Sequence, residues 1–156
     1  MSVSLLERRR IEGEIVKAIY DVLVEELGPD KTQDVVGRAV QAAAAEAGRR
    51  EAEKVPGGAD LESLAALQPL WTSGGALETR ILAAGPERFD YDVVRCRYAE
   101  MYRDMGLGEL GFLLSCGRDE AFVAGYAPGV ELTRTKTIMQ GDGLCDFRYR
   151  AARARS

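Results

Sequence analysis

Two observations place the chain in the α+β class. An apolar rhythm of three and four residues marks helices in the first third, and from Leu77 it gives way to short β-like runs that pair as two hairpins around a helical insert. The expected assembly is an antiparallel sheet of about four strands built from those hairpins, covered by helices, with two long N-terminal helices. With 156 residues, 46% of them apolar and 29% charged, the chain suits one domain over residues 1–156 with a single core.

Leu5 to Leu27 is the first helix, because Ile11, Ile15, Ala18, Ile19, Val22 and Leu23 fall on one helical face. Gly28-Pro29 ends it. Asp30, with Gln33 three residues later, reads as a capping box that opens a second helix through the alanine-rich stretch to about Glu53. Small side chains on that helix let a neighbour approach closely, and its weakly polar surface from Lys31 to Glu53 predicts a homodimer. After a break at Pro56-Gly57-Gly58, Asp60 caps a short helix from Leu61 to Leu67, which Pro69 ends. Trp71 then lies in a loop beside Ser73-Gly74-Gly75, as a packed surface residue or part of a hinge or lid.

Leu77 to Ala84 and Phe89 to Cys96 form the first hairpin, turning at Gly85-Pro86. Alternation puts Phe89, Tyr91 and Val93 on one face and Asp90, Asp92, Val94 and Cys96 on the other. Tyr98 to Met105, Glu109 to Cys116 and Arg118 to Tyr126 read as three short helices, closed by Pro128-Gly129. The second hairpin is Val130 to Met139 and Leu144 to Arg150, joined across residues 140–143.

Composition removes several classes of function. The net charge of -4 provides no field for nucleic acid or anionic lipid, so neither partner is expected. Arg8, Arg9 and Arg10 make the start locally basic, and Arg148, Arg150, Arg153 and Arg155 form a basic tail that reads as a solvated or inter-subunit extension. No apolar run approaches a membrane span, and residues 1–10 lack the apolar stretch of a secretory signal, so a cytoplasmic address is expected. The three cysteines, Cys96, Cys116 and Cys145, are then reduced thiols. There is no histidine, which excludes serine–histidine and cysteine–histidine hydrolase mechanisms. Proton transfer falls to Asp, Glu, Lys, Tyr, a thiol or water.

Several residues stand out as candidates. Arg134 and Lys136 share a strand face with Val130, Leu132 and Ile138, and cations in an apolar row need an anionic partner. That partner is either a carboxylate such as Asp119 or Asp146, or the carboxylate of a substrate. Asp146 and Arg148 are same-face neighbours on the last strand, forming a salt bridge or a base and an anion clamp. Cys116 precedes Gly117-Arg118-Asp119 at a helix start, where the helix N-terminus and Arg118 favour a low thiol pKa and a nucleophilic role. Alternatively, each cysteine is a small buried hydrophobe. The spacing C-x19-C-x28-C lacks the close pairs of familiar zinc sites, so neither metal nor other cofactor is expected.

Residues 95–102 (RCRYAEMY), Met105-Gly106-Leu107, residues 114–119 (LSCGRD) and residues 125–128 (GYAP) resemble successive motifs of the L-2-amino-thiazoline-4-carboxylic acid hydrolase family. Residues 132–139 (LTRTKTIM), Gly141 and residues 145–149 (CDFRY) resemble its closing signature. The resemblance implies hydrolytic opening of a small carboxylate-bearing heterocycle or cyclic amide at a C–N or C=N bond, as in conversion of 2-amino-thiazoline-4-carboxylate to N-carbamoyl-cysteine. It carries over Cys96, Cys116, Asp119, Arg134, Lys136, Cys145, Asp146 and Arg148 as site candidates. Cys116, Asp119, Cys145 and Asp146 are assigned to catalysis, and Arg134, Lys136, Arg148 and Cys96 to substrate binding. In one mechanism Cys116, ahead of Cys145, adds to the ring carbon while Asp119 or Asp146 moves protons; in the other, one of those aspartates activates water. A second class of function is a small-molecule-binding or redox-sensing module similar to the vinyl-reductase-type domain.

Overall fold

The computed structural model describes residues 2–152, so Arg153 and Arg155 of the basic tail lie outside the described residues. The fold is α+β, with two long helices, α1 (Leu5–Leu27) and α2 (Pro29–Glu53), ahead of a four-stranded antiparallel sheet. Two short helices follow them, α3 (Leu61–Ala66) and α4 (Gln68–Thr72). Strands β1 (Leu77–Ala84) and β2 (Arg88–Cys96) precede α5 (Arg97–Asp104), α6 (Gly108–Gly111), a π-helical turn (Phe112–Cys116) and α7 (Arg118–Tyr126). Strands β3 (Glu131–Thr133) and β4 (Cys145–Arg150) complete the sheet, whose order is β1-β2-β4-β3. Among the described residues no helix is long and apolar enough to cross a membrane.

Ser4 caps α1 by accepting the Glu7 N–H at 3.1 Å. The helix is where the periodicity predicts it, but its isoleucine row faces outward. Gly13 is buried, and Val16, Tyr20 and Leu23 pack against the core. Ile11, Ile15, Ile19 and Val22 are 49 to 60% exposed.

Helix α2 does not start with an Asp30 capping box. Gly28 is its N-cap at φ 80°, a conformation that suits glycine, and Pro29 fills the first turn, where a missing N–H costs nothing. Its small residues serve a contact within the chain. A Cβ on Gly48 would stand 2.2 Å from the Phe122 carbonyl oxygen, and one on Gly125 2.0 Å from that of Ala45, so α2 and α7 cross nearly backbone to backbone. The exposed alanines 39, 42, 43 and 47 are interspersed with Arg38, Glu46, Arg49 and Arg50.

Pro69 starts a helical turn instead of stopping one, and Trp71 lies within α4, edge-on to Phe122 at 5.4 Å between centroids. In the sheet, Tyr91 opposes Phe147 and Phe89 opposes Tyr149, and the Tyr91 and Phe147 rings stack at 4.8 Å. On the outer face Asp90 and Asp92 are 2% and 5% exposed beneath arginines 80, 88, 148 and 150.

Two local departures decide what reaches the inner face. The β1–β2 register shifts between Glu78 and Thr79, skipping Val94, and this extra residue reverses the alternation so that Cys96 turns inward. Strand β3 ends at Thr133, well short of Met139. Beyond it the Asp146 carboxylate accepts N–H bonds from Thr135 at 2.9 Å and Lys136 at 2.7 Å, and Asp142 accepts from Thr137 at 2.9 Å. Side-chain acceptors take the bonds a longer strand would offer a neighbour.

Candidate active site

A cavity of about 520 Å³ lies between the inner sheet face and the helices. Its floor is the aromatic face of β2 and β4, and its walls come from the start of α1, from α4 and from α7. Cys96, Cys116 and Cys145 all line it, together with Asp119 and Arg134. Five of the eight candidates are thus brought together from four parts of the chain.

The remaining three lie elsewhere. Lys136 is exposed, because the strand that would have pointed it inward has ended. Asp146 anchors the segment after β3, and hydrogen bonds from Thr135 and Lys136 hold its carboxyl below the usual value against the opposing effect of burial. Arg148 donates to Asp92 at 2.9 Å and to the Tyr91 carbonyl at 3.0 Å on the outer face. Asp146 and Arg148 therefore hold structural contacts across the sheet from the cavity.

Asp119 sits in the first turn of α7, and Arg134 donates through Nη1 to its Oδ2. Arg134 is itself fixed by the Cys116 carbonyl at 3.1 Å, with Phe147 and Phe112 ring centroids 5.2 and 5.9 Å from its guanidinium carbon. Burial pushes the Asp119 carboxyl up to about 6, with Arg134 opposing the shift. The 26% of its side-chain surface that is uncovered belongs to a residue lining the cavity. Only Oδ2 is engaged by a protein donor among the described residues, which leaves Oδ1 available to a water or ligand.

The thiols behave differently from the expectation of an activated nucleophile. Cys116 ends the π-helical turn, one residue before the Gly117 cap of α7, and burial pushes its thiol far up, with the nearby Asp119 charge acting in the same direction. Arg134 opposes the shift, and Arg118 donates instead to the Leu114 carbonyl at 2.6 Å. Burial also raises Cys145, to about 11, against the Ile138 N–H that bonds its sulfur at 3.2 Å. Cys96 is raised by burial as well, while its sulfur accepts the Ala99 N–H at 3.4 Å and caps α5. Among the described residues no group of three or more Cys, Asp or Glu side chains is placed to hold a metal.

Sequence reasoning did not assign Arg9 to the site. Glu12 accepts from Arg9 at 2.8 Å and from Arg118 at 3.4 Å, holding both guanidinia at the wall formed by α1 and α7. Their side chains are 15% and 20% exposed. Arg8, Arg9, Arg118 and Arg134 border this region together with Glu12, Glu51 and Asp119, which leaves one positive charge over when the carboxylates are ionised. The Arg9–Glu12 spacing of i, i+3 was the available signal, but in a run of three arginines it does not single out the inward one.

A family model described as L-2-amino-thiazoline-4-carboxylic acid hydrolase matches residues 8–149. No curated protein matches the chain. Among solved structures, the crystal structure of the phenol-responsive sensory domain of the transcription activator PoxR with phenol is similar in fold, with a TM-score of 0.55 and 12% identity. The match covers 92% of this chain and 74% of that one.

Proposed function

We propose, from the premise that this chain belongs to the L-2-amino-thiazoline-4-carboxylic acid hydrolase family, that it hydrolyses a carboxylate-bearing heterocycle or cyclic amide inside the cavity, with Asp119 as general base. The observation that carries this reading is a cavity-lining carboxylate raised to about 6, beside an arginine-rich wall, in a partly open and partly aromatic site. A base with a pKa near neutrality combines a useful ionised fraction with proton affinity.

For a protonated amino-thiazoline, Oδ1 of Asp119 takes a proton from water as the water oxygen bonds to the amidine carbon. The C=N π bond is consumed. The adduct re-forms a carbonyl from its new hydroxyl, the ring C–S bond breaks, and the hydroxyl proton passes to the departing sulfur. Asp119 then returns its proton to solvent, leaving an N-carbamoyl product. For a cyclic amide the departing atom is ring nitrogen. The excess positive charge of Arg9 and Arg118 binds the substrate carboxylate, and Arg134 keeps the base oriented.

Direct attack by water is better supported than a thiolate, because burial keeps all three thiols protonated at neutral pH. The test is turnover of L-2-amino-thiazoline-4-carboxylate, followed by mass spectrometry of the N-carbamoyl product. Asp119→Asn is expected to lower kcat by roughly 10²- to 10⁴-fold while still binding substrate. Retained turnover in that variant would remove Asp119 as base. Saturable carboxylate binding without turnover by the wild-type protein would favour a ligand-binding module instead.

A further inference from the structure

The exposed row on α1 is laid out as a self-complementary strip. Arg8, Ile11, Ile15, Ile19, Val22 and Glu26 lie within an arc of roughly 80° when successive residues turn by about 100°. All six are exposed, and the four apolar members are among the most exposed large hydrophobics in the protein. One end is basic and the other acidic.

A two-fold axis crossing the helix near residue 17 maps this strip onto itself in the antiparallel sense. It sets Ile15 against Ile19 of a second copy, Ile11 against the Val22 and Leu23 positions, and Arg8 against Glu26. Most other charges near the strip have partners within the helix, Arg9 with Glu12, Arg10 with Glu7 and Glu14, and Lys17 with Asp21; exposed Glu25, beside Glu26, adds to the acidic end. Among the described residues Arg8 and Glu26 have no ion-pair partner. A parallel pairing would bring like charges together at both ends.

We propose that a second copy of this chain covers the strip, forming a homodimer through antiparallel α1 helices. The apolar centre excludes water, and the two Arg8–Glu26 pairs set direction and register. Arg8 also borders the cavity, but the strip is defined by its own exposed residues and is tested by association, so the interface would hold if the reaction were different.

The test is sedimentation equilibrium of the full chain and of four variants. The wild type is expected to be a dimer at micromolar concentration. Ile15→Glu with Ile19→Glu should give a monomer with an unchanged far-ultraviolet circular dichroism spectrum. Arg8→Glu alone and Glu26→Arg alone should each weaken association by about tenfold or more, and the double exchange Arg8→Glu with Glu26→Arg should restore it to near wild type. A wild-type monomer at about 100 μM, far above a specific dimer's dissociation constant, overturns the proposal. So does a dimer that survives both glutamates, or a double exchange no better than either single change.

Discussion

Asp119 gains its proposed role from a contest between two nearby effects. Removal from water favours the neutral acid, Arg134 favours the carboxylate, and burial wins, which sets the group at about 6. The base is active when ionised, so kcat/KM should rise with pH through about 6 and then level, and Asp119→Asn should lack that limb. The sign for stability is opposite. Because the folded value lies above the ordinary 3.8, the protonated form favours folding; this contribution is fully present below the unfolded value and lost as pH rises through about 6. For the cysteines the same desolvation argues against easy thiolate formation. Iodoacetamide should label Cys116 at pH 7 more slowly than an ordinary thiol with a pKa of about 8.5, and fast labelling that tracks inactivation would restore the thiolate mechanism. The motif around Cys116 and Asp119 was legible as a candidate site, but residue types alone could not say which of the two burial leaves usable near neutral pH.

At the scale of elements, periodicity located helices and strands well and their orientation less well. The α1 isoleucines do form one face, yet a repeat of three and four residues carries no information on whether that face meets the core or another surface. The second hairpin was legible from alternation, but its first strand stops at Thr133 because Asp146 and Asp142 supply side-chain acceptors, a long-range fact that alternation does not encode. Lys136 went astray for this reason, and Cys96 because of the bulge at Val94. The small residues on α2 did signal close approach, and the partner is α7 of the same chain. Gly48→Ala and Gly125→Ala should each destabilise by about 1–3 kcal/mol or more, since the added methyl meets backbone that cannot rotate away. Gly85→Ala, where a Cβ meets nothing within 4 Å, should change stability by less than about 0.5 kcal/mol. Chemical denaturation midpoints decide the matter, and equal shifts at all three positions would refute the close crossing.

The whole molecule joins segments that no local motif connects: the first turns of α1, the α4 turn, the start of α7 and the inner face of β4. The α+β class and the antiparallel sheet follow from short-range pattern, whereas the cavity exists only after α1 packs beside α2, α4, α5 and the π-helical turn, which is why Arg9 was not assigned to the site. The partly open cavity of about 520 Å³, lined by several arginines, is a binding site that exists only in the folded state. Ligand that binds only the folded protein therefore adds stability, about 2.7 kcal/mol at one hundred times Kd. For a chain of this size that corresponds to a rise in Tm of about 5–10 °C. L-2-amino-thiazoline-4-carboxylate should produce such a shift in Asp119→Asn, where turnover is blocked but the arginine wall is intact. In the double variant Asp119→Asn with Arg9→Met the shift at the same ligand concentration should fall sharply, because the carboxylate loses a principal partner while the aromatic floor remains. An undiminished shift in that double variant would show that the substrate carboxylate is held elsewhere, and would move the anion site from the α1 wall towards Arg134.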